Sequence, residues 1–383
     1  MNKRIAQIRS EEGQSIVIVA FVMIGLIALV GLALDGGNMF LQRREVQNAV
    51  DASTMAGTRL LAKAICGEAI NDEAIAAEIN KFAESNGIAD TNDNPGDAIN
   101  ANVSAVYVNF DLSELGQVGA GSIPAGATGV EVNINKTEET FFIRVVGVSE
   151  FEVNATAMSM TSPPRSVGSG IRPVAVPVEV LDNVDIGDEL TFSFANNCDD
   201  GESCAVAWTA NGGGSMSHRG WASLGYAFNQ GEDPGWGRDK IANASNANIT
   251  AWMLNGYSDN PFYSDYVGGV YGDYILASPG LRQSSIAAAD DIIGQIIILP
   301  IFDYFVEEDD IPAPKPGDAP NADYYHIVGF LGVEVLGANP TNEHSFSGVV
   351  RNVVLSFGEV SPDVGFGEPN ACETNMMVIN LWD

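Results

Sequence analysis

The sequence predicts an α+β protein hung from a membrane helix, and three observations predict it. Ser15–Leu34 is an unbroken apolar run, the helical pattern continues past it without a proline, and from about residue 100 onward short β-branched and aromatic runs alternate with Gly, Asn, Asp and Pro clusters.

The apolar run reads SIVIVAFVMIGLIALVGLAL, twenty residues without a charge. A helix needs about that length to cross a hydrocarbon core of ~30 Å. Lys3, Arg4 and Arg9 precede the run, and the first basic residues beyond Asp35 are Arg43 and Arg44. Basic flanks stay cytoplasmic, while acids such as Glu11 and Glu12 count for little. The predicted orientation is therefore N-terminus inside and bulk outside. A cleaved secretory leader is the competing reading, because Gly31-Leu32-Ala33 makes a small-x-small site. The run exceeds the usual leader core of about 7–15 residues, and no helix breaker follows it, which favours a retained anchor. The predicted segments are a cytoplasmic N-terminus (1–14), a transmembrane helix (15–34), a stalk helix (35–66), a small α+β module (67–160) and a mainly-β extracytoplasmic domain (165–383).

The stalk places apolar or small residues at Val46, Ala49, Val50, Ser53, Ala56, Gly57 and Leu60, a stripe at helical spacing. Its small residues permit close approach of another element, either in the same chain or in a partner subunit. A second amphipathic helix follows, with Asn71 or Asp72 as N-cap and Gly87 just past its end. NVSAVYVNFD, TGVEVNIN and TFFIRVVGVSEFEVNATAMSM read as strands, the last as two strands about Gly147, and Thr161-Ser162-Pro163-Pro164 reads as a linker or a sharp boundary. Beyond it RPVAVPVEVL, ELTFSFAN, IIGQIIILPIFDYFV, HIVGFLGVEVLG and VVRNVVLSFGEV look like strands. Short helices are predicted at NITAWMLNG and SSIAAADDIIG, and an acidic, proline-rich loop at VEEDDIPAPKPGDAPNADY.

Fifty acidic against 18 basic residues give a formal charge of −32. Such a surface repels phosphate, so no nucleic acid partner is expected. Calcium is a minor candidate at Asp199-Asp200-Gly201-Glu202, Asp290-Asp291 and Glu307-Glu308-Asp309-Asp310, none of which follows the EF-hand spacing. The three histidines, His218, His326 and His344, lie near no nucleophile elbow, and no zinc-protease, phosphate-loop or dinucleotide motif occurs. His218 follows Ser217 in a glycine-rich loop, and His326 reads as edge-strand packing. No enzyme and no cofactor is predicted, and an anchored hydrolase ranks last.

Aromatic residues crowd the middle of the chain. Trp221, Trp236, Tyr263 and Tyr266 could form a glycan- or partner-binding face, and equally the core of a β domain. Cys198 and Cys204 frame a short polar loop. If they pair, Cys66 and Cys372 are left to join the stalk end to the C-terminus. Four cysteines allow three connectivities, and free thiols remain open. Five Asn-x-Ser/Thr sequons, at Asn102, Asn135, Asn154, Asn243 and Asn248, carry little weight in so Asn- and Thr-rich a chain. Asp35 sits where the span should meet water, either solvated there or setting register against a basic group of a neighbouring subunit.

The order Gly13-Gln14-Ser15, apolar span, Leu34-Asp35-Gly36-Gly37, Phe40, Arg43-Arg44, Val46-Gln47-Asn48-Ala49-Val50-Asp51-Ala52 and Ala56-Gly57 resembles the N-terminal segment of TadE/TadG-like pilus-assembly proteins. FFIRVVGVSEFEVNATAMSM resembles the β segment that follows in TadG-like chains, and IIGQIIILPIFD with YYHIVGFLGVEV resembles their variable extracytoplasmic regions. The resemblance implies a non-enzymatic, membrane-anchored component of a tight-adherence (Flp-type) pilus or envelope apparatus. Its partners would be the membrane and other pilus or envelope proteins met through the N-terminal helix. Two departures limit it. Ile18 stands five residues after Gly13, where prepilin processing wants glutamate, and no Asp-x-Ser-x-Ser run of a von Willebrand A metal site occurs. The alternative is a surface adhesin or carbohydrate-binding protein using the aromatic region.

Overall fold

The computed structural model describes residues 12–89, 100–164, 166–194, 206–209, 214–215, 220–229, 245–258, 261–263, 273–278, 282–307, 323–355, 372 and 376–382. One helix, α1 (Glu12–Ile65), dominates it, 54 residues without a break and about 80 Å long. Span and stalk are thus one rod. It stops where Gly67 takes a left-handed conformation (φ +83°), which lets the Gly67 N–H reach the Ala64 carbonyl and the Glu68 N–H reach the Lys63 carbonyl.

The described residues form an α+β fold of two main sheets. Helix α2 (Asp72–Ser85) starts at Asn71, whose side chain accepts the Ala74 N–H, and it buries Ile75, Ala76, Ile79 and Ala83 at helical spacing. Strands β1 (Val103–Val108), β2 (Glu114–Gln117), β3 (Gly129–Glu139) and β4 (Glu150–Ser162) follow. Then come β5 (Ser166–Val167), β6 (Val176–Pro177), β7 (Glu189–Phe194), β8 (Val206–Thr209), β9 (Gly214–Ser215) and β10 (Ala222–Asn229). Helix α3 (Asn246–Asn255) precedes β11 (Phe262–Tyr263) and β12 (Asp273–Ala277), and α4 (Gln283–Ala287) precedes β13 (Ile296–Glu307). The chain ends in β14 (Asp323–Asn339), β15 (Ser345–Val350), β16 (Val353–Leu355) and β17 (Met376–Trp382).

The first sheet has the order β16-β17-β4-β3-β1-β2. On β3 the residues Val130, Val132 and Ile134 point into the core, while Asn133 on the other face bonds Asn154 and Thr156 across the strand pair. That alternation is what one buried and one wetted face require. The buried face receives the stalk stripe. Val46, Ala49, Val50, Ser53, Ala56 and Gly57 are buried and Leu60 is half-buried, packed with Ile75, Ile79, Tyr107, Val130, Val132 and Ile134. Hydroxyls add register. Thr54 Oγ1 donates to the Val130 carbonyl at 2.7 Å, and Ser159 Oγ lies 2.5 Å from Thr58 Oγ1.

The second sheet runs β10-β12-β14-β15-β7-β8-β9, with β13 on the far edge of β14 and β6 beyond it. Its core combines Leu190, Phe192, Trp221, Leu299, Leu331, Val333 and Phe346 with Ile249 and Met253 of α3 and Ile286 of α4. A further apolar cluster joins Val353, Leu355, Met376 and Val378 of β16 and β17 to Ile298, Phe302, Tyr325, Ile327 and Phe330.

Several sequence expectations are corrected. FFIRVV is not a strand; it turns through a 3₁₀ helix at Ile143–Val146 that Gly147 closes at φ +95°. Thr161–Pro164 is not a linker; it is buried, because β4 runs to Ser162 and pairs there with Val378 of β17. RPVAVPVEVL keeps only β6 before a 3₁₀ turn (Val178–Asn183), since Pro173 and Pro177 cannot donate to a ladder. The module is also not closed at residue 160, because two of its strands come from beyond residue 352. His326 lies on β14 between β12 and β13, not on an edge.

A disulfide joins Cys66, just past α1, to Cys372, with Cα atoms 4.9 Å apart across 306 residues of sequence. Cys198 and Cys204 lie outside the described residues.

Two expectations follow from this packing. A Cβ on Gly57 would meet Ile79 Cγ1 at 2.6 Å, so Gly57→Val should lower stability by about 2 kcal/mol through overpacking. Gly37→Ala, in a helical site with nothing within 4 Å, should gain up to about 1 kcal/mol. Thermal unfolding of the full chain in detergent checks both. Cys66→Ser opens a long covalent loop and should cost about 3–5 kcal/mol in the same assay, with Cys372→Ser matching it and the double variant losing no more than either.

Candidate functional site

The chemistry-bearing feature of this chain is the boundary where the apolar part of α1 meets the first sheet. From Ile16 to Leu34 nearly every side chain of α1 is exposed and apolar, and Met39, Phe40 and Leu41 continue the exposed run. Among the described residues, α1 is the helix long and apolar enough to cross a membrane. Its exposed apolar surface is the kind that water solvates badly and that lipid or other helices cover.

Gly31 and Asp35 break that pattern. They lie one turn apart on one face, and both are buried. Against them sits the loop between β3 and β4. The Asp35 carboxylate accepts three consecutive backbone N–H groups: Phe141 at 2.9 Å, Phe142 at 3.0 Å and Ile143 at 2.7 Å. Asp35, read from sequence as either solvated at the membrane edge or setting register against a neighbouring subunit, is 3% exposed and bonded within its own chain. Burial pushes its pKa up, but the N–H donors outweigh that and hold the carboxyl below its ordinary value. Nothing in the spacing of residues 35 and 141 announces this contact.

Two further polar ties fix helix to sheet. Lys136 Nζ sits 3.0 Å from Glu45 Oε1 and 3.0 Å from Glu138 Oε1, and donates to Gln42 Oε1 at 2.8 Å. Burial alone would lower its pKa; the two carboxylates outweigh it and raise it. At the start of α2, Asp72 repeats the Asp35 device. Its buried carboxylate accepts the Gly119 N–H at 2.8 Å, the Gly121 N–H at 2.6 Å and the Tyr107 hydroxyl at 2.8 Å. Burial and the neighbouring carboxylate push the Tyr107 phenol well above its usual range.

Of the four aromatic candidates, Trp221 and Tyr263 lie within the described residues. Trp221 is fully buried and stacks on Phe194 with centroids 4.5 Å apart, so it offers no face to a ligand. Tyr263 is half-buried in β11, where its N–H donates to Asp273 Oδ2 at 2.9 Å. Trp236 and Tyr266 lie outside the described residues, as do Ser217, His218 and the acidic stretches 199–202 and 308–310. Asp290 is tied into the second sheet, accepting the Ala338 N–H at 2.7 Å. His326 Nδ1 is 2.8 Å from Asp303 Oδ1, with the Tyr274 ring 4.9 Å from its own. An acid and an imidazole are two parts of a nucleophilic triad and need a third. His344 Nδ1 lies 2.7 Å from the Pro340 carbonyl and serves the turn before β15.

Residues 13–62 match the family model described as putative Flp pilus-assembly TadE/G-like. That segment holds the apolar run, Asp35 and the packed stripe of α1, and it ends just short of Cys66. No curated protein matches the chain, and no solved structure does.

The Asp35 geometry makes a local prediction. Asp35→Ala leaves three N–H groups without their acceptor, so hydrogen exchange at Phe141, Phe142 and Ile143 should accelerate at least about tenfold. Asp35→Asn, which keeps one oxygen, should fall between. Exchange at the amides of β1 should not change.

Proposed function

We propose that this chain is a non-enzymatic, single-span component of a pilus-assembly or related envelope apparatus. Its N-terminus lies in the cytoplasm, and the two sheets lie outside. The observation that carries the reading is the TadE/G-like match over residues 13–62, on a helix whose unmatched surface is apolar and exposed. The basic residues before the span support the orientation.

In this reading α1 does two jobs. Its N-terminal half meets lipid and the helices of other apparatus proteins. One face of its C-terminal half is consumed inside the chain, because Val46, Ala49, Val50, Ser53, Ala56 and Gly57 are buried against α2 and the first sheet. Partner contacts therefore fall on residues 16–41 rather than on the stalk stripe. The rod is rigid and the sheet is stapled to it, so a push or tilt on the membrane helix is delivered to the outer domain. The carbohydrate-binding alternative draws nothing from Trp221, which is core.

Protease added after the outer layers are opened should digest the sheets and spare a tag at the N-terminus. A photoactivatable residue at Phe21 or Phe40 should crosslink to identified pilus-assembly membrane proteins. A chain that fractionates as soluble in the cell interior, or whose sheets stay protected, would overturn the reading.

A further inference from the structure

The β3–β4 loop lies at the depth of the apolar helix, not above it. A Cβ on Gly31 would stand 2.6 Å from Phe142 Cβ and 3.2 Å from its Cγ, so a glycine here admits the phenylalanine against the helix. Gly31 is three residues inside the end of the apolar run, about 5 Å along the axis. Exposed apolar helix residues bracket that level, with Leu29, Val30, Leu32 and Leu34 around it and Met39, Phe40 and Leu41 beyond. The loop presents the same character outward. Phe141 is 68% exposed, Phe142 43%, Val145 89% and Val148 47%.

We propose that this loop is a second membrane contact, with Phe141, Phe142, Val145 and Val148 seated in the headgroup–acyl boundary of the bilayer beside α1. The occupant is lipid because the patch is continuous with the span. It rests on the reading above that α1 crosses a membrane. Backbone bonding fits such a place, where unpaired N–H groups are costly. The N–H groups of Phe141, Phe142 and Ile143 go to Asp35. Those of Val145, Gly147 and Val148 go to carbonyls within the loop, and that of Thr140 goes to the Ser149 carbonyl. The Thr140 hydroxyl donates to the Val148 carbonyl.

The charges nearby are arranged for an interface and not for the bilayer centre. Arg144 pairs with Glu139 at 2.8 Å, and Lys136 is held between Glu45 and Glu138. Arg43 and Arg44 follow the last exposed apolar residues of the helix, where their long stems let the charged ends reach headgroups. A loop anchored this way fixes the angle of the outer sheets to the bilayer, because a second contact removes the rotation that a lone helix leaves free.

The test uses the full chain in lipid nanodiscs of phosphatidylethanolamine and phosphatidylglycerol, with p-benzoylphenylalanine at one position at a time. Phe21 serves as the span control. Leu112 is the second control, an exposed apolar residue at the opposite end of the same sheet. Mass spectrometry should find lipid adducts at Val145 and Phe21, with the Val145 yield at least about tenfold above that at Leu112. Lipid adducts at Phe21 without them at Val145 overturn the loop contact and leave the span intact. Protein adducts at Val145 in place of lipid overturn it in favour of a docking surface. No lipid adduct at either position overturns the membrane reading itself.

Discussion

Three consecutive N–H groups in the β3–β4 loop have no acceptor in their own hairpin, and one carboxylate on α1 supplies it. That constraint fixes the height of the first sheet on the rod. Hydrophobic packing of the stalk stripe supplies most of the attraction, at about 1.5–3 kcal/mol for each large apolar side chain buried. Packing of this kind tolerates sliding by a turn when residues are as small as Ala49, Ser53, Ala56 and Gly57. Directional bonds do not. Asp35 at one end, Lys136 with Glu45 in the middle and the Thr54–Ser159–Thr58 hydroxyls further on select one register.

The same solution appears twice. Asp35 and Asp72 are buried carboxylates on helices, and each collects N–H groups from a loop of the first sheet. Burying a carboxylate is costly unless its oxygens are bonded, and here each has at least three donors. The cost is accepted because a loop with unbonded N–H groups would be worse. Polar residues thus hold the parts of the sheet that hydrophobic burial reaches least.

The chain ends help close the fold. β16 and β17 add to the sheet that α1 covers, and the Cys66–Cys372 bond fastens the C-terminal segment to the foot of the same helix. The Asn352 side chain donates to Glu68 Oε1 at 2.9 Å beside that junction. The second sheet meets the first through the outer face of these strands. Helix α1 is thus joined to both sheets through packed contacts and a covalent bond. The segment matching the TadE/G-like family model is the rod itself, and the rest of the chain is built onto it.

Periodicity determined much of this. The apolar run, the stalk stripe, α2 with its Asn71 cap and Gly87, and strands such as β7 and β13 were legible because a helix or strand needs its apolar residues at fixed intervals. The motif from Gly13 to Gly57 likewise lies in one contiguous stretch. What only the tertiary structure decided involves residues far apart in sequence. FFIRVV has the β-branched texture of a strand, and Asp35 from 106 residues away bends it into a turn. Pro163-Pro164 has the composition of a linker, yet it is buried directly after β4, whose Ser162 pairs with a strand arriving from residue 376 onward. Trp221 fits a binding face by type, and the second sheet closes over it. Local pattern fixes which elements form, because their bonding is local; which loop meets which carboxylate depends on chain closure over a hundred residues or more, and no spacing records that.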